Sequence, residues 1–365
     1  MKNNNTNLMP TVFAVGDSYQ IFIPLEFDAI ISISVGDEMY YDDSNGILRS
    51  NMLLHRVEIP MQKLDSAGEY TVICRKMIDR KPYFPVSEEP FSQAFKFRPV
   101  RGEKIHIYHI ADAHNMEAEP IAAGKYFGAE LDLLILNGDI PNHSGDIANF
   151  NSIYRIAYGI TGGEIPVAFA RGNHDTRGIY AEEFERYTPC NNQKPYYTFR
   201  VGSLWGMVLD CGEDKLDSHE EYGNTVAFHN YRLKQTQFIK EVIENSQNEF
   251  AAEGIEHKIV VCHIPFTRQF YSPFNIEEDI YGEWTRLISD NIKPELFFFG
   301  HTHRYGVYKV GGEYDYYGQS CPAIIGSQPF AKEKRFIGCG VVLSKDKPEI
   351  IFNDNELNIL EMREE

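Results

Sequence analysis

Short runs of Asp, Asn and His recur along the 365-residue chain, and these side chains bind divalent transition metals. A single run of this kind arises easily by chance. Five of them follow one another here, and together they offer enough oxygen and nitrogen atoms for two metal ions. The runs are Asp112-Ala113-His114, Gly138-Asp139, Gly172-Asn173-His174-Asp175, the single His263 and Gly300-His301-Thr302-His303.

The chemistry that these side chains support is metal-assisted hydrolysis. Carboxylate, amide and imidazole donors suit Mn²⁺, Fe²⁺/Fe³⁺, Zn²⁺ or Co²⁺, and are too rich in nitrogen for a dedicated Mg²⁺ or Ca²⁺ site. A carboxylate such as Asp139 can bridge two ions. Two ions about 4 Å apart can hold a hydroxide between them and bind both oxygens of an in-line displacement at phosphorus. The residues alone leave open which histidine binds metal and which is free.

Each of the five runs follows an apolar stretch typical of a buried β-strand. If these strands are neighbours in one α/β fold, their carboxyl ends bring the runs together, which is where open α/β sheets build their sites. Glycines at the ends let the backbone turn sharply and approach the metals. The predicted strands are residues 105–110, 131–136, 166–170, 258–262 and 296–299, with a further strand at 204–209.

The order of the runs, DxH, GD, GNHD, H and GHxH, resembles the calcineurin-like metallophosphoesterase superfamily over roughly residues 104 to 310. The resemblance implies a four-layer αββα sandwich. It also implies two divalent or trivalent transition-metal ions, with Mn, Fe or Zn the first choices. The ligands of the first ion are then Asp112, His114, Asp139 and His303, and those of the second are Asp139, Asn173, His263 and His301.

Within the same resemblance, His174 matches the family's general acid. It protonates the leaving oxygen or stabilises the transition state, and Asp175 orients its imidazole. The nucleophile is a hydroxide that bridges the two metals. The implied activity is hydrolysis of a phosphomonoester or a phosphodiester.

The first hundred residues contain short segments rich in β-forming residues, separated by turn residues. Their spacing predicts a small all-β sandwich of the immunoglobulin or fibronectin kind. Tyr70 matches a tyrosine corner, in which its hydroxyl bonds back to the preceding turn at Ser66-Ala67-Gly68; an ordinary strand-initiating tyrosine is the alternative. The segments are residues 19–23, 29–35, 55–59, 70–74 and 94–97.

Near Pro99 the pattern changes to apolar strands that alternate with helical stretches. We therefore predict two domains, a β-sandwich at residues 1–100 and a catalytic domain at residues 101–365. This order resembles that of purple acid phosphatases. Those enzymes have Gly in place of the first run's His, and a Tyr that ligates ferric iron three residues after the bridging Asp. Here the positions hold His114 and Asn142, so we expect a site of the more general DxH type without tyrosinate-to-iron colour.

A helix, a hairpin and two further strands are predicted in the second half of the chain. Apolar residues at helical spacing predict a helix over residues 232–250. Residues 307–310 and 313–317, on either side of Gly311-Gly312, predict a β-hairpin. Two more strands follow at residues 337–343 and 349–352.

Some residues near the runs have two interpretations. Arg171 and Arg304 could bind a phosphate oxygen or pair with nearby acids. His143 could line the pocket or belong only to its loop. We favour a solvated surface loop for residues 213–223. The alternative is a lid in which Tyr222 stacks on an aromatic leaving group.

Composition limits the class of protein. Hydrophobic residues make up 43% of the chain, as in packed globular proteins. The net charge of −18 argues against binding nucleic acid through its phosphates, whereas bound cations would still attract a phosphorylated small molecule. Neither an apolar stretch of about 18 residues nor a secretion-signal pattern is present, which predicts a cytoplasmic protein that does not bind membranes. The six cysteines contain no CxxC pair, so disulfides are not expected.

Two other function classes share the motifs. A non-catalytic metal-binding interaction module of the same fold predicts eroded ligands, and none of the ligands is eroded. A DNA-processing nuclease predicts basic patches, which the acidic composition argues against. The leading hypothesis is therefore a phosphoesterase acting on a phosphorylated small molecule. The sequence leaves its substrate and oligomeric state open.

Overall fold

The structure is a computed structural model that describes residues 7–362. Residues 1–6, which contribute to the prediction of a cytoplasmic location, lie outside this range. The described residues form six α-helices: α1 Met61–Ala67, α2 Ala118–Gly124, α3 Asn151–Thr161, α4 Phe184–Tyr187, α5 Phe228–Glu244 and α6 Glu278–Leu287.

Residues 7–362 also form 23 strands, and every strand predicted upstream of residue 300 is among them. The strands are β1 Thr11–Val15, β2 Ser18–Pro24, β3 Ala29–Val35, β4 Glu38–Tyr41, β5 Asp43–Ser44, β6 Ile47–Leu48, β7 Leu54–Pro60, β8 Glu69–Asp79, β9 Val86–Ser87, β10 Phe91–Lys96, β11 Ile105–Ile110, β12 Leu133–Asn137, β13 Val167–Ala170, β14 Tyr197–Val201, β15 Leu204–Leu209, β16 His257–Cys262, β17 Leu296–Phe299, β18 Tyr305–Tyr308, β19 Ala323–Gly326, β20 Gln328–Phe330, β21 Arg335–Leu343, β22 Glu349–Asp354 and β23 Ile359–Leu360.

Two large sheets carry the motifs. The ten-stranded sheet has the order β23-β22-β21-β11-β12-β13-β1-β2-β7, with β20 beside β21. The six-stranded sheet has the order β14-β15-β16-β17-β19-β18. Strands β11, β12 and β13 are parallel neighbours in the first sheet, and β15, β16 and β17 are parallel neighbours in the second. Parallel neighbours end at the same edge of a sheet, so each sheet gathers its motifs at one edge.

The sheets pack face to face between two layers of helices. Val261 and Phe298 of the six-stranded sheet belong to the core shared with the ten-stranded sheet. Their chain neighbours Val260 and Phe297 point the other way, into a second core with α5 and α6. Helices α2 and α3 contact the ten-stranded sheet. Because successive strand residues face opposite sides of a sheet, this pattern defines four layers and confirms the predicted αββα sandwich.

The N-terminal region is β-rich, as predicted, apart from the short helix α1. Its strands are divided among three sheets, the smallest of which is the pair β5 and β6. Strands β3, β4, β8, β9 and β10 form a separate five-stranded sheet. Strands β1, β2 and β7 instead extend the ten-stranded sheet, because β1 pairs in parallel with β13 through Phe13 and Val167. The sheet is therefore continuous across the expected boundary at residue 100, and the division into two domains stays a prediction.

The tyrosine corner predicted at Tyr70 is wrong. The Tyr70 hydroxyl donates a 2.7 Å hydrogen bond to the carbonyl of Gly163, far along the chain. Gly163 has a φ of +75°, and a Cβ there would lie 2.9 Å from both the Pro10 carbonyl oxygen and the Tyr70 hydroxyl. The preceding turn is instead the end of α1, where Gly68 adopts the left-handed conformation typical of a helix C-terminus.

The hairpin predicted around Gly311-Gly312 is also wrong. Strand β18 pairs with β19, and residues 313–317 form a compact loop. The Asp315 carboxylate accepts hydrogen bonds from the backbone N–H groups of Gly311, Gly318 and Gln319, which closes the loop in place of a strand ladder. The strands predicted at residues 337–343 and 349–352 are confirmed as the antiparallel pair β21 and β22.

Helix α5 begins and ends earlier than the predicted helix over residues 232–250. Leu233, one of the apolar residues behind that prediction, is 46% exposed. All six cysteines are free and buried. None of the helices in the described part of the chain combines the length and apolar character that a membrane span requires.

The Tyr70–Gly163 contact yields a test of how the N-terminal region is joined to the catalytic sheets. Tyr70→Phe leaves the Gly163 carbonyl buried without its donor, and we expect the free energy of unfolding to fall by about 1–3 kcal/mol. Tyr41→Phe is the control, because Tyr41 is 48% exposed and its change should stay within about 0.5 kcal/mol. Urea denaturation measures both; an unchanged Tyr70→Phe midpoint would show that this bond contributes nothing to stability.

Candidate metal centre

The five motifs meet at the carboxyl ends of five strands. Strands β11, β12 and β13 lead into the Asp112, Asp139 and Asn173 runs, and β16 and β17 lead into the runs of His263 and His301. The ten-stranded sheet thus supplies four of the predicted ligands and the six-stranded sheet supplies three. The site lies where these two edges face each other.

The backbone at these strand ends is unusual. Five of the seven predicted ligands adopt positive φ, between +45° and +67°, a conformation uncommon outside glycine. Gly138 also has positive φ, and a Cβ there would lie 2.6 Å from the Gly172 Cα and 2.7 Å from the His263 ring. Such strain clusters at functional sites. The five ligands are Asp112, His114, Asp139, His301 and His303.

Hydrogen bonds connect the two sheets directly beneath the ligands. The Asn137 side chain donates to the carbonyls of Cys262 and Phe298, each at 3.1 Å. In return, the Asn137 carbonyl accepts a 2.7 Å bond from Nδ1 of His263. The backbone N–H of His301 donates to the Asp112 carboxylate at 2.9 Å. Strand ends from both sheets are therefore held at a fixed separation.

The first group of ligand atoms comprises Asp112, His114 and His303, all within 4.8 Å of one another. The Nε2 atoms of His114 and His303 are 3.0 Å apart, and Nε2 of His303 is 3.4 Å from Oδ1 of Asp112. Asp139 places Oδ2 4.0 Å from Nε2 of His114. The structure thus brings together all four residues expected around the first metal.

The second group comprises Asp139, His263 and His301, also within 4.8 Å. Nε2 of His263 is 3.2 Å from Oδ2 of Asp139. The side-chain oxygen of Asn173 is 3.0 Å from Nδ1 of His301, so the fourth expected ligand lies in the same place. Asp139 is near both groups, where a bridging carboxylate has to be.

Metal ions fit these residues. Nε2 of His263 is buried without a well-formed hydrogen bond, and its nearest polar atom is Oδ2 of Asp139 at 3.2 Å, although polar atoms in the interior are normally bonded. Because Nδ1 of the same ring donates to the Asn137 carbonyl, Nε2 is the ring atom that faces the ligand cluster, and its lone pair is available to a metal once its proton has left. A second hydrogen bond of this kind typically fixes a metal-binding imidazole. The mixed oxygen and nitrogen donors match transition metals rather than Ca²⁺.

Charge reinforces the cluster. Burial alone would raise the pKa of the Asp139 carboxyl, but the imidazoles of His263, His174 and His114 hold it below its usual range. Burial lowers the pKa of His263, and the charges of Asp139 and Asp112 outweigh that effect and raise it to about 10. Burial lowers the pKa of His301 to about 4. Without metal, the neighbouring carboxylates therefore favour the protonated form of His263.

His174 lies beside the cluster and is held differently from the prediction. Its Nδ1 bonds to the backbone carbonyl of Asn142 at 2.9 Å, and its Nε2 lies 4.0 Å from Oδ2 of Asp139. The Asp175 carboxylate instead accepts the N–H groups of Gly172 at 2.6 Å and Asp139 at 2.9 Å. Asp175 thus fixes the backbone that carries the bridging carboxylate, and the orienting contact expected with His174 is replaced by the Asn142 carbonyl.

The loop at residues 213–223 is only partly the solvated surface loop that we favoured. Glu213, Asp214, Lys215 and Tyr222 are buried, whereas Leu216, Ser218, Glu220, Glu221 and Gly223 are exposed. The Tyr222 hydroxyl donates to Asp214, which leaves its ring inside the loop rather than free to stack on a leaving group. Oδ2 of Asp214 lies 3.7 Å from Nε2 of His301. The start of the loop, at Asp214, therefore lies against the site.

The structure places the three other side chains that had two interpretations. Arg171 forms a 2.6 Å ion pair with the buried Asp210, which agrees with the interpretation that it pairs with a nearby acid. Arg304 is exposed. His143 accepts the N–H of Gly145 and belongs to its own loop. Sequence reasoning missed Arg177, whose Nη1 lies 3.3 Å from Nε2 of His174; its place three residues after His174 was the available signal.

Comparison with known proteins agrees with this geometry. The family model for the calcineurin-like phosphoesterases matches residues 105–305, more than half of the chain. A sequence search finds no match among curated proteins. The purple acid phosphatase PPD1 from yellow lupin (Lupinus luteus) seeds aligns over 97% of this chain and 73% of its own, with a TM-score of 0.58 and 12% identity. PhoD aligns over 98% and 94%, with a TM-score of 0.54 and 10% identity.

The strand-end cluster and the matched region define a metallophosphoesterase, a hydrolase with a binuclear metal centre. The chain belongs to the calcineurin-like phosphoesterase family, as the order of its motifs predicts. The two solved structures share its fold, including the β-rich N-terminal region.

Protonation of His263 predicts how metal binding depends on pH. The pKa of His263 is about 10, so the ring is still protonated in an assay at about pH 8. Metal binding at that pH has to release the Nε2 proton, and the apparent affinity for Mn²⁺ should therefore rise as the pH is raised toward the pKa. We expect titration calorimetry in two buffers of different ionisation enthalpy to give about one released proton from this ring. The variant His263→Asn should release about one proton fewer. Equal heats in both buffers would contradict the prediction.

Proposed function

We propose that the protein hydrolyses the phosphoester of a phosphorylated small molecule with two transition-metal ions, Mn, Fe or Zn. The observation that supports this most strongly is the convergence of six other donor side chains, from two sheets, around one buried carboxylate, Asp139. An ordinary structural cluster of acids and histidines does not need five ligands in left-handed backbone conformations.

The residues divide into two ligand sets that share Asp139. Asp112, His114 and His303 would hold the first ion with it. Asn173, His263 and His301 would hold the second. When bound, the two ions activate water for attack and neutralise charge on the phosphoryl group.

His174 is proposed as the general acid. With Nδ1–H donated to the Asn142 carbonyl, Nε2 is the nitrogen that takes up a proton and passes it to the leaving oxygen. Nε2 faces the cluster 4.0 Å from Oδ2 of Asp139, so a phosphoryl group held by the ligand sets lies within its reach. Asp175 supports the reaction indirectly, by holding the N–H groups of Gly172 and Asp139.

Two substitutions test this assignment. His174→Gln should lower kcat about 10²- to 10⁴-fold, the usual contribution of a general acid, while the bound metal measured by elemental analysis stays unchanged. Asp139→Asn should lose metal as well as activity, because both ligand sets share this carboxylate. The assays use p-nitrophenyl phosphate and bis-p-nitrophenyl phosphate with added Mn²⁺.

The control is His106→Gln, at the opposite end of β11, where His106 pairs with Asp132. It should retain wild-type activity. Wild-type protein that binds metal but hydrolyses neither ester would contradict the proposed function and favour a non-catalytic metal-binding module. A His174→Gln variant with full activity would contradict the role of His174 alone.

A further inference from the structure

Arg177 places a partly exposed guanidinium group beside His174. Its Nη1 lies 3.3 Å from Nε2 of His174, the nitrogen that faces the metal ligands. The side chain is 26% exposed, so it is neither buried in the core nor free in solvent.

Buried Glu213 fixes the position of that group. Its two carboxylate oxygens accept bonds from Nε and Nη2 of Arg177, at 2.8 and 2.9 Å. Glu213 is 1% exposed and also accepts the hydroxyl of Thr176 at 3.1 Å. A bidentate pair of this kind orients the guanidinium plane. It uses Nε and Nη2, and therefore leaves Nη1 as the edge directed at His174.

The remaining neighbour of Nη1 is a weak competitor. Oε1 of Glu221 lies 3.6 Å from Nη1, beyond hydrogen-bond distance, and the Glu221 side chain is 43% exposed. Lys215 holds the other oxygen of Glu221 at 3.0 Å. An anion that enters beside His174 can therefore take over Nη1 without breaking the Glu213 pair.

We propose that Arg177 binds a non-bridging oxygen of the substrate phosphate and thereby favours phosphomonoesters over phosphodiesters. This inference rests on the proposed function and deepens it. The monoester dianion carries one more negative charge than the diester, so a fixed cation stabilises it more. Glu213 is the positioning residue, and Glu221 is an electrostatic competitor for the same nitrogen.

The test measures binding and turnover in separate assays on the full-length protein with Mn²⁺ added. Titration calorimetry with inorganic phosphate measures binding without turnover. A wild-type protein that hydrolyses no ester would count against the proposed function, but phosphate binding would still test the role of Arg177. Arg177→Gln should weaken phosphate binding about 10- to 100-fold, with metal content unchanged. Arg177→Lys should recover part of this loss, because it keeps the charge without the bidentate pair.

Two further comparisons separate substrate contact from a structural effect. Arg177→Gln should lower kcat/KM for p-nitrophenyl phosphate at least about tenfold more than for bis-p-nitrophenyl phosphate, whereas a general distortion lowers both alike. Glu221→Gln should tighten phosphate binding, since it removes a competing charge. Arg186→Gln is the matched control, because Arg186 forms an exposed pair with Glu183.

Phosphate binding within about twofold of wild type in Arg177→Gln would overturn the proposal. So would an equal loss of activity on both esters. If Arg177→Gln does not fold, Glu221→Gln decides the question: tighter phosphate binding supports the contact, and unchanged binding overturns it.

Discussion

The separation of the two sheets at their carboxyl ends decides whether a metal site can exist, because each sheet carries only part of the ligand set. Asn137 fixes that separation. Its amide donates to the ends of β16 and β17, and its carbonyl accepts the ring of His263. These bonds are buried, where an unmade bond costs about 1–3 kcal/mol, so the spacing resists change. The same residue that closes β12 thus also sets the tautomer of a proposed metal ligand.

Strain and charge meet in the loops above this connection. Left-handed residues at the strand ends cost on the order of 1–3 kcal/mol each. Asp112 and Asp139 add two carboxylates that are at most 2% exposed. One arrangement accounts for both the backbone strain and the buried charge. The left-handed residues direct the carboxylates and imidazoles toward the two proposed metal positions, where cations would offset the negative charge. Without metal, the proton held by His263 takes over part of that compensation.

The sequence predicted the catalytic part of the fold well, because its signals are local. Apolar strands followed by Asp, Asn or His define both the parallel strands and the ligand positions, and the family match agrees with them. Contacts between residues far apart in the sequence were harder to predict. Nothing around Tyr70 indicates that its hydroxyl reaches Gly163, and nothing around Arg177 indicates its pair with Glu213. The strand predicted at residues 313–317 was wrong for another reason. The Asp315 carboxylate accepts the backbone hydrogen bonds that a strand ladder would otherwise make.

The pairing of β1 with β13 has a consequence for solubility. Strand β13 delivers Asn173 and His174 to the site, and without β1 it would be the edge strand of the ten-stranded sheet. An uncovered edge presents a row of unpaired N–H and C=O groups that recruits strands from other molecules and leads to aggregation. The N-terminal residues therefore shield the catalytic sheet from self-association. A fragment trimmed to the catalytic motifs alone would lose that shield.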